Sequence, residues 1–150
     1  MKITCIGTGF VGVVTTAVLA KLGNTIIGLD IDEAKIAKLK EGIVPFFEPQ
    51  LSELLIETQK TGNLTFTTDY ATAVTDSDII MIMVGTPSRE DGSADLRFVE
   101  SVAESIAPHL KENAVVVIKS TVPPVTIILV VLIATPWLSS SCTLYIPDNL

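Results

Sequence analysis

Apolar positions along this chain follow two alternating rhythms. Short runs dense in Ile, Val and Thr are each followed by a longer stretch whose apolar residues fall three and four apart. Lys2–Ile6 predicts a first strand, stopped by Gly7. From Phe10 to Leu22, residues Val11, Val14, Val18, Leu19 and Leu22 stand at helical spacing, and Gly23-Asn24 supplies a C-terminal signal. Residues 25–30 (TIIGLD) predict a second strand. Asp32 is placed to cap a helix over 33–40 with Ile36 and Leu39 on its apolar face, ended by Gly42. A loop with Pro45 and Pro49 follows, and Leu51, Leu54 and Leu55 then open a helix running to about Lys60.

The second half repeats the rhythm. Residues 64–67 predict a strand, and Asp69 caps a short helix to Val74. Residues 79–84 (IIMIMV) are apolar throughout, as a strand covered on both faces requires. Asp95 is placed to cap a helix over 96–110 with Val99, Val102, Ala103, Ile106 and Leu110 on its buried stripe, and 114–118 (AVVVI) predict another fully buried strand. The remainder predicts a helix or irregular segment and a strand near 143–146. Strands alternating with helices, two of the strands lacking a polar face, select an α/β fold with a parallel sheet and right-handed crossovers. No repeat or linker divides the chain, so one domain is expected.

Gly7-Thr8-Gly9-Phe10-Val11-Gly12 spells G-x-G-x-x-G between the first strand and the first helix. Alone the pattern is weak, since glycines recur in turns. In this position it is the fingerprint of a Rossmann-type, doubly wound parallel sheet with helices on both faces. Gly7 permits the tight turn, Gly9 lets a pyrophosphate approach the backbone, and Gly12 allows close packing of the helix on the sheet. Asp30 ends the second strand, where a carboxylate hydrogen-bonds adenosine ribose hydroxyls and repels a 2′-phosphate. No Arg follows within ten residues, so NAD is favoured over NADP. The competing possibilities are a glycine turn that binds nothing and a solvated strand end.

Composition narrows the setting. The chain has 150 residues, 48% of them hydrophobic, which excludes a disordered chain. Its net charge of −7 and the lack of a basic cluster argue against a nucleic-acid partner. Cys5 and Cys142 have no metal or disulfide spacing; both read as small apolar side chains in a reducing cytoplasm, and no metal is expected. The N-terminus lacks the apolar core of a secretory signal. Of all 27 charged side chains (17 acidic, 10 basic), Asp148 alone lies in 121–150, which helps lift mean hydropathy to +0.54. Pro123, Pro124 and Pro136 interrupt that segment, and its apolar run over 125–134 falls short of the roughly 20 residues that cross a bilayer. A membrane role is therefore disfavoured.

The chain resembles the UDP-glucose/GDP-mannose dehydrogenase family in its N-terminal, NAD-binding domain. The matching stretches are CIGTGFVG at 5–12, LDIDEAKIAKLKEGIVPFFEPQLSELL at 29–55, TTDYATAVTDSDIIMIMVGTP at 67–87 and HLKENAVVVIKSTVPP at 109–124. The resemblance implies NAD-dependent, two-step oxidation of the C6 alcohol of a nucleotide sugar to a carboxylate. The aldehyde stage would be held on a cysteine as a thiohemiacetal, which keeps a reactive intermediate from escaping. It implies that Gly7, Gly9, Phe10, Val11 and Gly12 cradle the pyrophosphate and that Asp30 and Lys35 meet the adenosine ribose. Gly85 and Thr86 would line the NAD crevice, with Thr121 beside the reacting centre, where it helps place a catalytic water. From the residues alone, Thr86 and Thr121 could equally cap the turns at their prolines, and Lys35 could be a solvated helix residue.

Two departures stand out. After STVPP the family continues Gly-Thr-Thr into a charged helix, whereas here Val125 opens an apolar run. The family's Pro-Glu pair with its catalytic glutamate finds its nearest counterpart in Pro147-Asp148, which makes Asp148 a candidate catalytic carboxylate one methylene shorter. The family's catalytic cysteine, its dimer-forming central helix and its sugar-binding domain have no counterpart. The expectation is a C-terminally truncated cofactor domain, well matched over 1–124 with an atypical tail over 125–150, which binds NAD and does not turn over alone. Full-length relatives are expected to form homodimers. The alternatives are a non-catalytic NAD-binding module, another NAD oxidoreductase of the same fold, and a small membrane-attached protein.

Overall fold

The computed structural model describes residues 1–123. The chain runs β1 (Lys2–Ile6), α1 (Phe10–Lys21), β2 (Thr25–Leu29), α2 (Glu33–Lys40), α3 (Leu51–Lys60), β3 (Leu64–Thr67), α4 (Tyr70–Val74), β4 (Ile79–Ile82), α5 (Arg97–Ile106), a 3-10 turn (Ala107–His109) and β5 (Val115–Ile118). The strands form one sheet in the order β3-β2-β1-β4-β5, and every pairing is parallel. Strand order reverses at β1, so the crevice beyond the carboxyl ends of β1 and β4 is the topological switch point where such sheets bind ligands.

Alternation of side chains along the strands divides the core into two layers. Ile3, Cys5, Ile26, Leu64 and Phe66 face α1, α2 and α3, where Val13, Ala17, Ile36, Leu39 and Leu55 complete one cluster. Ile27, Leu29, Ile80 and Ile82 face α4 and α5, where Val74, Val99, Val102 and Ile106 complete the other. Thr4 lies on this second side, and its buried hydroxyl reaches the Ala73 carbonyl and the Ser77 hydroxyl. Helices therefore cover both faces, as the doubly wound reading requires. Asp32 and Asp69 cap α2 and α4 as expected, accepting from the Lys35 and Thr72 backbone N–H groups.

Four local expectations change. The face that α1 buries is Gly12, Val13, Thr16, Ala17 and Ala20, while Val11, Val18 and Leu22 are exposed. This helix is apolar nearly all round, so periodicity could not select a face; small side chains line the side that approaches the sheet. In β4, Ile80 and Ile82 are buried but Ile79 and Met81 are half-buried, and Met83 and Val84 lie beyond the strand. β5 is half-buried throughout instead of fully buried, because it ends the described sheet and pairs only with β4 there. Leu96, not Asp95, occupies the N-cap of α5, and the helix tightens into the 3-10 turn at Pro108 well before Leu110. The predicted helix and strand of the last segment, with Cys142 and Asp148, lie outside the described residues. Among the described residues no helix is long and apolar enough to cross a membrane.

Candidate functional site

At the end of β1 the chain turns through Gly7, whose φ of 97° lies where side-chain-bearing residues are strained. A Cβ there would also sit 2.6 Å from the Met83 carbonyl oxygen. The Gly7 N–H donates to the Leu29 carbonyl at 2.8 Å, which ties the turn to β2. Gly9 occupies the N-cap of α1 in an extended conformation, and nothing lies within 4 Å of where its Cβ would be. No side chain caps this helix and no acid occupies its first turn. Val13 makes the first intrahelical bond, to the Gly9 carbonyl at 2.9 Å, so the first-turn N–H groups of Phe10, Val11 and Gly12 are left to an outside acceptor. With the positive end of the helix dipole, this is a built anion cradle.

Asp30 closes the adjoining wall. Its Oδ2 accepts from the Thr8 N–H at 2.8 Å, the Thr8 hydroxyl at 2.7 Å and the Lys35 ammonium at 2.9 Å. Its Oδ1 accepts from the Asp32 N–H at 3.1 Å. Burial alone would push this carboxyl up. The Thr8 bonds, followed by those from Lys35 and Asp32, outweigh burial and hold it below the ordinary aspartate value. The site thus keeps a fixed negative charge beside a positive helix end, which suits a ligand with ribose hydroxyls at one point and phosphate at another.

Between these groups opens a cleft of about 390 Å³, within the range of small-molecule sites. Gly7, Thr8 and Gly9 form one side, and Asp30, Asp32 and Lys35 another. Met83, Val84 and Gly85 come from the end of β4, with Tyr70, Phe98, Ser101 and Val102 completing an apolar wall. Burial raises the Tyr70 phenol; a Ser105 hydrogen bond partly counters this, and the nearby Asp30 charge adds to it.

Gly7, Gly9, Asp30, Lys35 and Gly85 therefore meet in one cleft. Phe10, Val11 and Gly12 are not among its lining residues: the Phe10 and Val11 side chains are exposed, and what the three offer is first-turn backbone N–H groups that precede the first intrahelical bond. Gly12 packs differently from expectation, since its added Cβ would meet the Gly7 carbonyl before it met the sheet. Lys35 pairs with Asp30 directly. Thr86 and Thr121 also lie outside this lining and meet each other, the Thr86 hydroxyl donating to the Thr121 carbonyl at 2.9 Å. The Ser120 hydroxyl donates to the Val84 carbonyl at 2.7 Å, so the ends of β4 and β5 are clipped together at the carboxyl edge.

Thr8 and the wall from Tyr70 and α5 were missed by the sequence. Thr8 sits at a variable position of the glycine motif; of the α5 residues, periodicity marks Val102 only as core, and Phe98 and Ser101 lie off that buried stripe. Asp95, one residue before the N-cap, accepts from the N–H of Arg97 at the start of α5, binds the Arg97 side chain and also reaches Arg89, and Arg97 holds its carboxyl far below the usual range. Among the described residues no cluster of His, Cys, Asp or Glu could hold a metal. The open cradle at Gly9 and the fixed Asp30 charge fit a dinucleotide with an unphosphorylated ribose.

Comparison with known proteins agrees with this geometry. The family model described as "UDP-glucose/GDP-mannose dehydrogenase family, NAD binding domain" matches residues 1–139. The UDP-glucose 6-dehydrogenase TuaD of Bacillus subtilis is 47% identical over 122 residues, which is 81% of this chain and 26% of that protein. A UDP-glucose 6-dehydrogenase of Rhizobium meliloti is 49% identical over 124 residues, 82% of this chain and 28% of that protein. Among solved structures, a ternary complex of GDP-mannose dehydrogenase from Pseudomonas aeruginosa superposes with a TM-score of 0.84 at 39% identity, covering 89% of this chain and 31% of that one. A UDP-glucose dehydrogenase from Pyrobaculum islandicum gives 0.82 at 35% identity, covering 90% and 33%. The chain thus spans between a quarter and a third of the length of these proteins.

Proposed function

The chain belongs to the UDP-glucose/GDP-mannose dehydrogenase family, matching its NAD-binding domain, and from that premise we propose that it supplies the cofactor half of a nucleotide-sugar 6-dehydrogenase. The substrate class is a nucleotide sugar, with UDP-glucose favoured by the curated relatives, and the reaction is oxidation of the C6 alcohol to a carboxylate. In this proposal residues 1–150 form one cofactor domain, sugar recognition belongs to a separate domain, the setting is the cytoplasm and the assembly is a homodimer. The observation that carries the reading is the pairing of an open, uncapped α1 N-terminus at Gly9 with a charged, hydrogen-bonded Asp30 across the same cleft.

NAD, when bound, supplies the hydride acceptor. The chain's own residues bind and orient. The N–H groups at the start of α1, reached past Gly7 and Gly9, neutralise the pyrophosphate. Asp30 accepts ribose hydroxyls through Oδ1, which has the single Asp32 donor among the described residues. Lys35 offsets the Asp30 charge, and Gly85 leaves the end of β4 open to the cofactor. Thr86 and Thr121, clipped together at the carboxyl edge, are proposed to border the reacting end, with Thr121 placing water; Asp148 is proposed as the assisting carboxylate.

Calorimetric titration with NAD tests this. Saturable binding is expected, abolished by Gly9→Val and weakened at least about tenfold by Asp30→Ala, as loss of a hydrogen bond to a charged group predicts. Equal binding by wild type and both variants overturns the proposal.

A further inference from the structure

We propose that Thr8 is a positioning residue for cofactor choice: by fixing the Asp30 carboxylate it sets the preference for NAD over its 2′-phosphorylated form. The inference rests on the NAD reading above and assigns a role to a residue outside the glycines and the acid of the motif. Thr8 is 1% exposed, yet it lines the cleft. Its backbone N–H and its hydroxyl both donate to one oxygen of Asp30, at 2.8 and 2.7 Å. Lys35 donates to that same oxygen at 2.9 Å, and the Asp32 N–H holds the other at 3.1 Å.

The consequence is geometric. An oxygen that already accepts three donors has no capacity for a ribose hydroxyl, so Oδ1 is the atom left for the ribose. A carboxylate held by four donors also resists swinging aside to admit a 2′-phosphate, because rotation breaks hydrogen bonds to a charged group, each adding to the cost. Two of the four donors come from Thr8. Without its hydroxyl, Asp30 keeps three donors, so turning aside for a 2′-phosphate, with the 31% exposed Lys35 side chain following toward it, costs one charge-assisted hydrogen bond less. The Thr8 hydroxyl thereby raises the cost of moving Asp30 by one hydrogen bond to a charged group.

The test compares the dissociation constants of NAD and NADP for the wild-type chain, Thr8→Val and Thr8→Ser by calorimetry. The ratio of NADP to NAD dissociation constants is expected to fall about tenfold in Thr8→Val, the worth of one hydrogen bond to a charged group. Thr8→Ser, which keeps the hydroxyl, is expected to restore the wild-type ratio. The acid limb of NAD binding should also move to higher pH in Thr8→Val, as Asp30 loses a bond that favours its charged form. A merely structural role lowers both affinities together and leaves the ratio and the acid limb in place; that result overturns the role of Thr8 while the NAD reading stands. If the wild-type chain binds neither nucleotide, the NAD reading itself falls and the role of Thr8 with it. Should Thr8→Val fail to fold, Thr8→Ala carries the same comparison.

Discussion

Gly12 faces the Gly7 carbonyl oxygen so closely that a Cβ added at position 12 would lie 1.9 Å from it. The clash is with backbone at the tightest point of the β1–α1 turn, where no rotamer change relieves it. Gly12→Ala is therefore expected to destabilise the fold by at least about 1–3 kcal/mol, the usual cost of overpacking. Gly9→Ala makes the contrast: nothing lies within 4 Å of its added Cβ, and its φ of −72° suits any residue. Its unfolding midpoint should match wild type, while NAD affinity drops because the methyl occupies the pyrophosphate approach. Urea unfolding and NAD titration of the two variants should give opposite patterns.

The Asp30 carboxyl contributes stability that depends on pH. Its folded value lies below the ordinary one, so on acidification the unfolded chain takes up the proton first. The contribution is complete above the unfolded aspartate pKa of about 4 and is lost as pH falls through the lowered folded value. Asp30→Asn should therefore cost about 1–3 kcal/mol at neutral pH, typical of hydrogen bonds to a charged group, and progressively less below pH ~4. Denaturant titrations of both proteins across that range measure the difference; a gap that stays constant with pH refutes the assignment.

Cys5 lies in β1, one residue from its end, at 1% exposure, and burial pushes its thiol up to about 11, only partly offset by a hydrogen bond with Thr16. The thiolate that reacts with alkylating agents is thus scarce as well as shielded. At pH 8 in native buffer, iodoacetamide should leave the Cys5 peptide unmodified while denatured chain reacts fully, as mass spectrometry of the digested protein would show. Modification of Cys5 in the native chain at the rate of a free thiol would contradict its place in the core.

Much of this architecture was legible in the residues. β1 and β3, and the caps of α2 and α4, follow from β-branched runs and from aspartates with a free N–H three residues on. The Gly7, Gly9 and Asp30 cleft follows from glycine geometry and strand placement, both local properties. What stayed hidden depends on partners distant in sequence. The buried face of α1 cannot be read from a helix apolar on every side, and Asp95 stands one residue before the N-cap and adds the Arg97 and Arg89 side chains to its bond with the first N–H of α5. Thr8 gained its role only once β2 brought Asp30 beside it, 22 residues along the chain.

Gly28 and Phe66 make a cross-strand pair, directly opposite each other in the β2–β3 register, and the Phe66 ring lies over the glycine. A Cβ at position 28 would stand 2.5 Å from two ring carbons, and Phe66 is only 4% exposed, so the ring has little room to withdraw. Gly28→Ala is expected to destabilise by about 1–3 kcal/mol through overpacking. Phe66→Leu should cost a similar amount through lost burial and a partial cavity. The two effects should not add: the shorter leucine opens the space that the alanine methyl needs, so the double variant should recover about 0.5–3 kcal/mol relative to the sum. A double-mutant cycle by urea denaturation reads this coupling. Strict additivity would show that the two residues act independently and that the glycine at 28 answers to something other than the ring above it.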